Sequence, residues 1–361
     1  ADASVQGIVV HVAIVVGLML AGCTGPAPAA PPQESVAPPP APLSPPEPEN
    51  APPESLEPTS ADTSRTSGTV RVHYVNVGQG DGTIWELPGG SVVVYDCGPP
   101  ANATSPNRMV AALRALGLEP GATIQALVAS HGHLDHVGGC GEILEQYRIL
   151  HLYDTWYEGS DAPQSYRRFR EELKAEGGTI HTLAATASLE GEQPFQRGDR
   201  LALTPGGEAA GVVARILWPP TPEDDWDRIA NGGIVVRLSF GSVDFCFQGD
   251  IEAAQEATLA DALAGQDCEV YLVGHHGSKA ASSAGWLAAL DPEVAVVSFG
   301  KNSYGHPTSE ALCRVQQAGA KVYATHRVGD VTVATDGAGL TVHPDHPESN
   351  DYCAAGASYW T

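Results

Sequence analysis

The sequence predicts an α/β fold, an αββα sandwich in which two mixed β-sheets are flanked by helices. Two observations on the chain from Thr69 onward carry this. Strand-like runs come first as a β-rich stretch and then as alternating strand–helix units, and that order occurs twice, as expected for two sheets with helices outside them. Loops rich in His, Asp and Gly follow strand ends in both halves, so one edge of the sandwich would collect polar groups from both sheets. A chain of 361 residues is long enough for one large domain or two, with ample core.

The first 68 residues differ in kind. Residues 7–21 form an apolar run broken only by His11; at about 15 residues it is short for a membrane span and suits a signal-peptide core. It ends in Leu20-Ala21-Gly22-Cys23, which resembles a bacterial lipobox, where the cysteine is lipidated and becomes the new N-terminus. Cys23 is therefore the expected lipidation site in a signal segment over 1–23. The expected location is extracytoplasmic, as a cell-membrane lipoprotein; a cleaved secretory signal or an uncleaved anchor are the alternatives. Residues 24–68 are Pro, Ala, Ser and Glu with almost nothing to bury, a composition that cannot offset ordering entropy. A disordered tether is expected there, holding the next domain off a membrane surface.

The elements of the folded part, residues 69–345, follow in order. A strand over 70–77 leads through Gly78-Gln79-Gly80-Asp81-Gly82 to a second over 83–87. Pro88-Gly89-Gly90 then turns into a third over 91–95, ending at Asp96-Cys97-Gly98. A helix over 107–116 precedes an apolar strand over 124–129, interrupted only by Gln125, a pattern typical of a strand covered on both faces. A helix over 141–147, a strand over 149–153, an amphipathic helix over 164–176 and a strand over 179–183 complete the first half. Strands over 212–218, 233–240 and 243–247 open the second, the last reaching Gln248-Gly249-Asp250. A helix over 252–263 and a strand over 269–273 lead to Gly274-His275-His276-Gly277-Ser278. A helix over 284–290 and a strand over 294–299 lead to Asn302-Ser303-Tyr304-Gly305-His306-Pro307. A helix over 309–317 and a final pair of strands over 321–324 and 330–333 close the domain, and 346–361 read as a C-terminal tail.

The chemistry centres on Ser130-His131-Gly132-His133-Leu134-Asp135-His136-Val137-Gly138-Gly139, directly after the apolar strand. Three imidazoles and a carboxylate within six residues supply nitrogen and oxygen ligands suited to zinc or manganese. His131 and His133, being alternate residues, can share one ion, and Asp135 and His136 can face a second. Lys plus Arg total 19 against 43 Asp plus Glu, a balance of −24, which disfavours purely electrostatic nucleic-acid binding. It does not exclude a nuclease, because divalent metals neutralise carboxylates and contact phosphate themselves.

That decapeptide is similar to the signature of the metallo-β-lactamase fold. Five further landmarks resemble the soluble C-terminal domain of ComEC-type competence proteins: Val77-Gly78-Gln79-Gly80-Asp81, Tyr95-Asp96-Cys97-Gly98, Gly249-Asp250, His275-His276-Gly277-Ser278 and Tyr304-Gly305-His306-Pro307. The resemblance runs from about Thr69 to Gly339; the channel-forming part of such proteins is not in this sequence, so DNA transport is not expected of the chain itself. It implies that His131 and His133 bind one divalent ion, Asp135 and His136 the other, and that Asp250 bridges the two. Two such ions would activate water as nucleophile. Asp96 is expected to orient a ligand imidazole. For the last ligand His275 is placed first, with His306 and His276 as rivals; whichever is free of metal becomes a candidate general acid. Many fold members supply a third histidine to the first ion. Here Asn231 stands at that position, a weak oxygen ligand that would loosen this site or favour manganese over zinc.

Several residues are weaker candidates. Ser278, Lys279, Ser282, Ser283, Asn302 and Tyr304 could hold substrate phosphates, and Trp156, Tyr157 and Trp226 could stack bases. His151 and His181 could reach the site only if their strands do. On its own physics Gly78-Gln79-Gly80-Asp81-Gly82 is a hairpin turn with permissive glycines, without the spacing of a phosphate loop. Seven cysteines less Cys23 leave an even number, for which fifteen pairings exist, with reduced buried thiols as the competing reading. Cys97 and Cys140 both flank metal motifs, Cys246 and Cys268 sit on neighbouring units, and Cys313 and Cys353 remain. The expected activity is a two-metal phosphodiesterase or nuclease, exported or lipid-anchored, acting on single- or double-stranded nucleic acid. The alternatives are a carbonyl hydrolase (lactonase, thioesterase or β-lactamase-like) and a non-catalytic DNA-uptake accessory.

Overall fold

Strands β1 (Val70–Tyr74), β2 (Gly82–Glu86) and β3 (Val92–Cys97) form an antiparallel meander, after which three further strands follow through helices and pair in parallel. These coordinates are a computed structural model describing residues 68–102, 105–155, 163–183, 191–206, 210–219, 233–263, 266–348 and 351–354. The signal segment with Cys23, the tether, Asn231, Trp156, Tyr157 and Trp226 lie outside the described residues. Helix α1 (Arg108–Ala115) starts at Asn107, whose side chain accepts from Val110 N, and buries Met109 and Leu113. It returns the chain to β4 (Thr123–Ala129), buried from Ile124 onward as the apolar run predicts. Two short helices, α2 (Leu134–Val137) and α3 (Cys140–Leu144), follow, then β5 (Arg148–Asp154). Helix α4 (Gln164–Ala175) turns Tyr166, Phe169 and Leu173 inward at i, i+3 and i+7. Strands β6 (Thr179–Leu183) and β7 (Gln193–Phe195) end the first half.

The second half repeats the plan. Strands β8 (Val212–Trp218), β9 (Val235–Phe240) and β10 (Val243–Phe247) are antiparallel. Helix α5 (Ala253–Ala262), β11 (Val270–Leu272), a 3-10 turn at Gly274–Gly277, α6 (Ala284–Leu290), β12 (Val294–Val297), α7 (Ser309–Gln317) and β13 (Lys321–Ala324) add parallel strands. After α8 (Thr325–Val328) the chain does not stay with β13. Strand β14 (Val331–Thr335) crosses to the first sheet and pairs with β1, Val70 opposite Thr335, and β15 (Leu340–Pro344) pairs with β14. The sheets are ordered β15-β14-β1-β2-β3-β4-β5-β6-β7 and β13-β12-β11-β10-β9-β8. The expected final strand pair is thus divided between two sheets, and β7, β15, α2 and α8 add to the elements read from sequence.

One apolar cluster fills the space between the sheets, and two others fill the spaces between each sheet and its helices. At its centre the ring of Phe247 lies 4.6 Å from that of Trp85 and 5.3 Å from that of Tyr95, joining the end of β10 to that of β3. These two strand ends carry Asp250 and Asp96, so the packing that binds the sheets also registers the polar edge. Truncating such a ring to alanine would cost about 3–5 kcal/mol. Among the described residues no helix is long and apolar enough to cross a membrane.

Three disulfides join Cys97 to Cys140, Cys246 to Cys268 and Cys313 to Cys353. The first ties the end of β3 to the start of α3; the last fastens the C-terminal segment, whose Tyr352 is buried, to α7. Each closes a loop in the unfolded chain. Replacing Cys97 and Cys140 together by alanine should therefore lower the unfolding free energy by about 2–4 kcal/mol, read from denaturant titration. An unchanged midpoint would show that this bridge does not constrain the protein in solution.

Candidate metal centre

The loops after β2's approach, β3, β4, β10, β11 and β12 converge at one edge. Two groups of donor atoms form there: His131, His133 and Asp250 in one, Asp81, His136, Asp250 and His276 in the other. Asp250 belongs to both and divides its oxygens between them. Oδ2 lies 3.6 Å from His131 Nε2, while Oδ1 lies 3.3 Å from His136 Nε2 and 3.6 Å from His276 Nε2.

Hydrogen bonds to the far side of each ring settle which nitrogens face inward. Asp96, at the end of β3, accepts from Ser130 N (2.7 Å), Ser130 Oγ (2.7 Å) and His136 Nδ1 (2.8 Å). Because the Ser130 hydroxyl donates to Asp96, it accepts from His131 Nδ1 at 3.0 Å. The carbonyl of Ser298 likewise requires the proton on His276 Nδ1, 3.0 Å away. In their neutral form His131, His136 and His276 thus present bare Nε2 atoms to the interior. His136 Nε2 and His276 Nε2 stand 3.2 Å apart, a separation at which two lone pairs repel unless positive charge lies beside them.

The surroundings ask for that charge. Asp81 is fully buried with neither carboxylate oxygen hydrogen-bonded, and Asp250 Oδ1 is also buried without a hydrogen-bond donor. Burial alone would lower the pKa of His136 and His276, yet the charge of Asp250, aided by Asp96 and Asp81 respectively, holds both well above the usual imidazole range. Burial would raise Asp250, but His136, His276 and His131 keep it well below the usual carboxylate range. His131, by contrast, is lowered by burial and then by His136. Nitrogen and carboxylate donors, orphaned buried oxygens and a field that favours cations fit divalent metal ions.

Backbone geometry explains why these residues meet. Asp81 N donates to the carbonyl of Asp135 at 3.2 Å, and a Cβ on Gly80 would lie 2.0 Å from that oxygen, so only glycine permits the approach. Asp96, His275 and His276 all adopt left-handed φ values of 57°, 48° and 51°, a conformation non-glycine residues hold only where surroundings impose it. Beneath Asp250, Gln248 is braced by Glu256, Tyr271 and Trp286, fixing the end of β10.

The structure separates the neighbouring histidines that the sequence left as rivals. His276, expected among proton donors, enters the second donor group. His275, expected as ligand, is turned outward with its side chain 24% exposed, its Nδ1 3.5 Å from Glu252 and its Nε2 3.6 Å from Asp250 Oδ2. The two left-handed residues in succession rotate the pair, which sequence spacing does not reveal. Asp135 stands at the open side of the second group, its Oδ2 3.4 Å from His276 Nε2 and its side chain 26% exposed. Asp81, read only as a turn residue, is a buried member of that group; its presence within a motif of the family resemblance was the available signal. Asp96 holds His136 as expected. His306 lies outside both groups, its ring 5.1 Å from that of His275, its Nδ1 buried without a partner, and its pKa lowered by burial and then by His275.

The weaker candidates separate. Ser282 and Ser283 donate their backbone N–H groups to Glu256, and Ser283 caps α6, so both serve the scaffold. Ser278 Oγ is occupied by Ala280 N. His151 and His181 pair with each other at 3.0 Å on β5 and β6 and belong to neither donor group. Asn302 shapes its own loop, whereas Lys279, Lys301 and Tyr304 are exposed beside the site.

Residues 77–301 match the family model described as the Metallo-beta-lactamase superfamily. ComE operon protein 3 of Bacillus subtilis (strain 168) is 23% identical over 275 residues, covering 72% of this chain and 32% of that protein. Competence protein ComA of Neisseria gonorrhoeae is 32% identical over 142 residues, covering 38% of this chain and 20% of that protein. The chain thus spans a third or less of the length of these curated relatives. Among solved structures, CmlA, a diiron beta-hydroxylase from Streptomyces venezuelae, aligns with a TM-score of 0.45 at 13% identity, covering 73% of this chain and 53% of that one.

Two substitutions test the donor set. Asp250→Asn should lower bound divalent metal, measured by elemental analysis, further than Asp81→Asn, since Asp250 serves both groups; undiminished metal in Asp81→Asn would remove that residue from the site. Asp96→Asn should weaken metal affinity about 10–100-fold by loosening His136 and, through Ser130, His131. Metal titration of the folded variant measures it, and wild-type affinity would show that this carboxylate orients nothing.

Proposed function

The chain belongs to the metallo-beta-lactamase superfamily, and from that premise we propose that it is a hydrolase of phosphodiester bonds in nucleic acid, working with two divalent cations, zinc or manganese. The observation that carries this reading is the Asp250 carboxylate, itself buried, with one oxygen toward each donor group. Divalent cations held there supply Lewis acidity to the attacked group and bring the pKa of water toward neutrality. The residues of the chain do the rest. Asp250 keeps the two donor groups in register, Asp96 and Ser130 hold the imidazoles in one tautomer, and His306 and His275 offer N–H groups and lone pairs at the mouth for substrate oxygens. Lys279 and Lys301, exposed on the loops after the 3-10 turn and β12, favour an anionic substrate in a chain whose net charge is −24. The relative described as a competence protein adds support for nucleic acid.

The same reading places the protein outside the cytoplasm, tethered to a membrane surface through Cys23. Three disulfides support an oxidising compartment.

Single-stranded DNA, a bis-phenyl phosphodiester and a panel of lactones, each assayed with metal and with chelator, test the activity. Phosphodiester cleavage abolished by chelator is expected, whereas turnover confined to lactones would replace this reading with a carbonyl hydrolase. Asp250→Ala and Asp135→Ala should each reduce phosphodiester turnover about a thousandfold or more while leaving the fold intact by circular dichroism. His306→Ala should reduce it about 10²–10⁴-fold with metal content unchanged; loss of metal as well would make His306 a ligand.

A further inference from the structure

Only two large apolar side chains stand out as exposed among the described residues, Leu134 at 47% within the histidine loop and Tyr304 at 72% on the loop that carries His306. Leu134 lies between His133 and Asp135. Tyr304 rides on the loop between β12 and α7, and that loop is firmly held. Asn302 Oδ1 accepts from Tyr304 N at 3.0 Å and Gly305 N at 3.1 Å, while Asn302 Nδ2 donates to Gln79 Oε1 at 2.9 Å, on the segment that delivers Asp81. The Tyr304 ring lies within 23° of parallel to that of His306, with centroids 6.4 Å apart. His306 in turn meets His275 at 5.1 Å, and His275 Nε2 lies 3.6 Å from Asp250 Oδ2. An aromatic face on an anchored loop is therefore presented to solvent a few side chains from the donor groups, although the fold buries most of its other large aromatic rings.

We propose that Tyr304 is the platform on which an unpaired nucleobase beside the scissile phosphodiester stacks, which makes single-stranded nucleic acid the substrate class. This rests on the phosphodiesterase reading above. Every base offers a π-face, so such a platform grips a strand without reading its sequence. In a duplex both faces of a base are covered by its neighbours, and only a base outside the stack can meet the tyrosine. A loop already anchored at Asn302 loses little backbone freedom on binding. Lys279 and Lys301, exposed on the loops after the 3-10 turn and β12, offer positive charge for phosphates of the strand.

The test compares an oligonucleotide with the same strand carrying an abasic position beside the cleavage site. Wild-type protein should prefer the base-bearing strand in kcat/KM, and should cut it faster than its duplex. Tyr304→Ala should shrink the preference for the base about 5- to 100-fold, chiefly through KM, and Tyr304→Phe should retain it. Stopped-flow mixing of the metal-loaded protein with a 2-aminopurine strand gives a readout ahead of any cleavage. The fluorescence should fall with wild type and Tyr304→Phe and much less with Tyr304→Ala. Full preference in Tyr304→Ala, or equal loss in Tyr304→Phe, which would assign the effect to the hydroxyl, overturns the proposal. Cleavage of phosphodiesters with no base preference defeats the stacking but leaves the hydrolytic reading intact. Tyr304-dependent quenching without cleavage of any phosphodiester defeats the hydrolytic reading and leaves the stacking.

Discussion

Three carboxylates, Asp81, Asp96 and Asp250, are buried within one loop cluster, and the need to neutralise them governs the arrangement around them. A carboxylate taken out of water is tolerable only when positive charge or several donors replace the lost hydration. Asp96 meets the requirement with hydrogen bonds, two from Ser130 and one from His136. Asp81 and Asp250 do not, for neither finds enough donors, and the imidazoles beside them turn bare nitrogens inward. The first carboxylate is a structural part that sets tautomers. The other two leave a deficit of positive charge that divalent cations would fill.

That division explains which parts of the fold are rigid. Asp96 lies at the end of β3 and Asp250 at the end of β10, and the rings of Tyr95, Trp85 and Phe247 lock those ends together across the central core. The link continues in polar form, since Tyr95 OH donates to the carbonyl of Ile234 and Ile234 N donates to that of Ser130. The Cys97–Cys140 bridge closes the ring behind the histidine loop. Left-handed backbone at Asp96, His275 and His276 costs of order 1–3 kcal/mol each, and packing from two sheets is what sustains it.

The sequence made the layered fold and half of the site readable because those depend on local pattern. The apolar run of β4, the hairpins and the spacing of His131, His133 and His136 are short-range features, and Asp250 follows a recognisable strand end. The destination of β14 was not readable, because joining β1 is a contact across the whole chain and the strand's own residues look alike in either sheet. His275 and His276 are adjacent and chemically identical, so only backbone conformation decides which one enters the cluster. Asp81 was disguised by its glycines. The pattern that reads as a flexible hairpin is here a demand for close approach, with Gly80 pressed against Asp135.

The charge of the chain bears on how any polyanion could reach this edge. A net −24 repels nucleic acid at long range, although salt screens that repulsion beyond about 8–10 Å. Inside that distance the balance is local. Two divalent cations would bring four positive charges against the four carboxylates Asp81, Asp96, Asp135 and Asp250, cancelling the negative charge of the site, and Lys279 and Lys301 would add positive charge along the loops. Attraction would then exist only over a short stretch of strand and only with metal in place, so the site would hold a few nucleotides rather than a long tract. Such a site gains little from unbroken phosphate contacts and must draw grip from elsewhere, and the exposed Tyr304 ring would supply a contact that neither salt nor the chain's acidity weakens much.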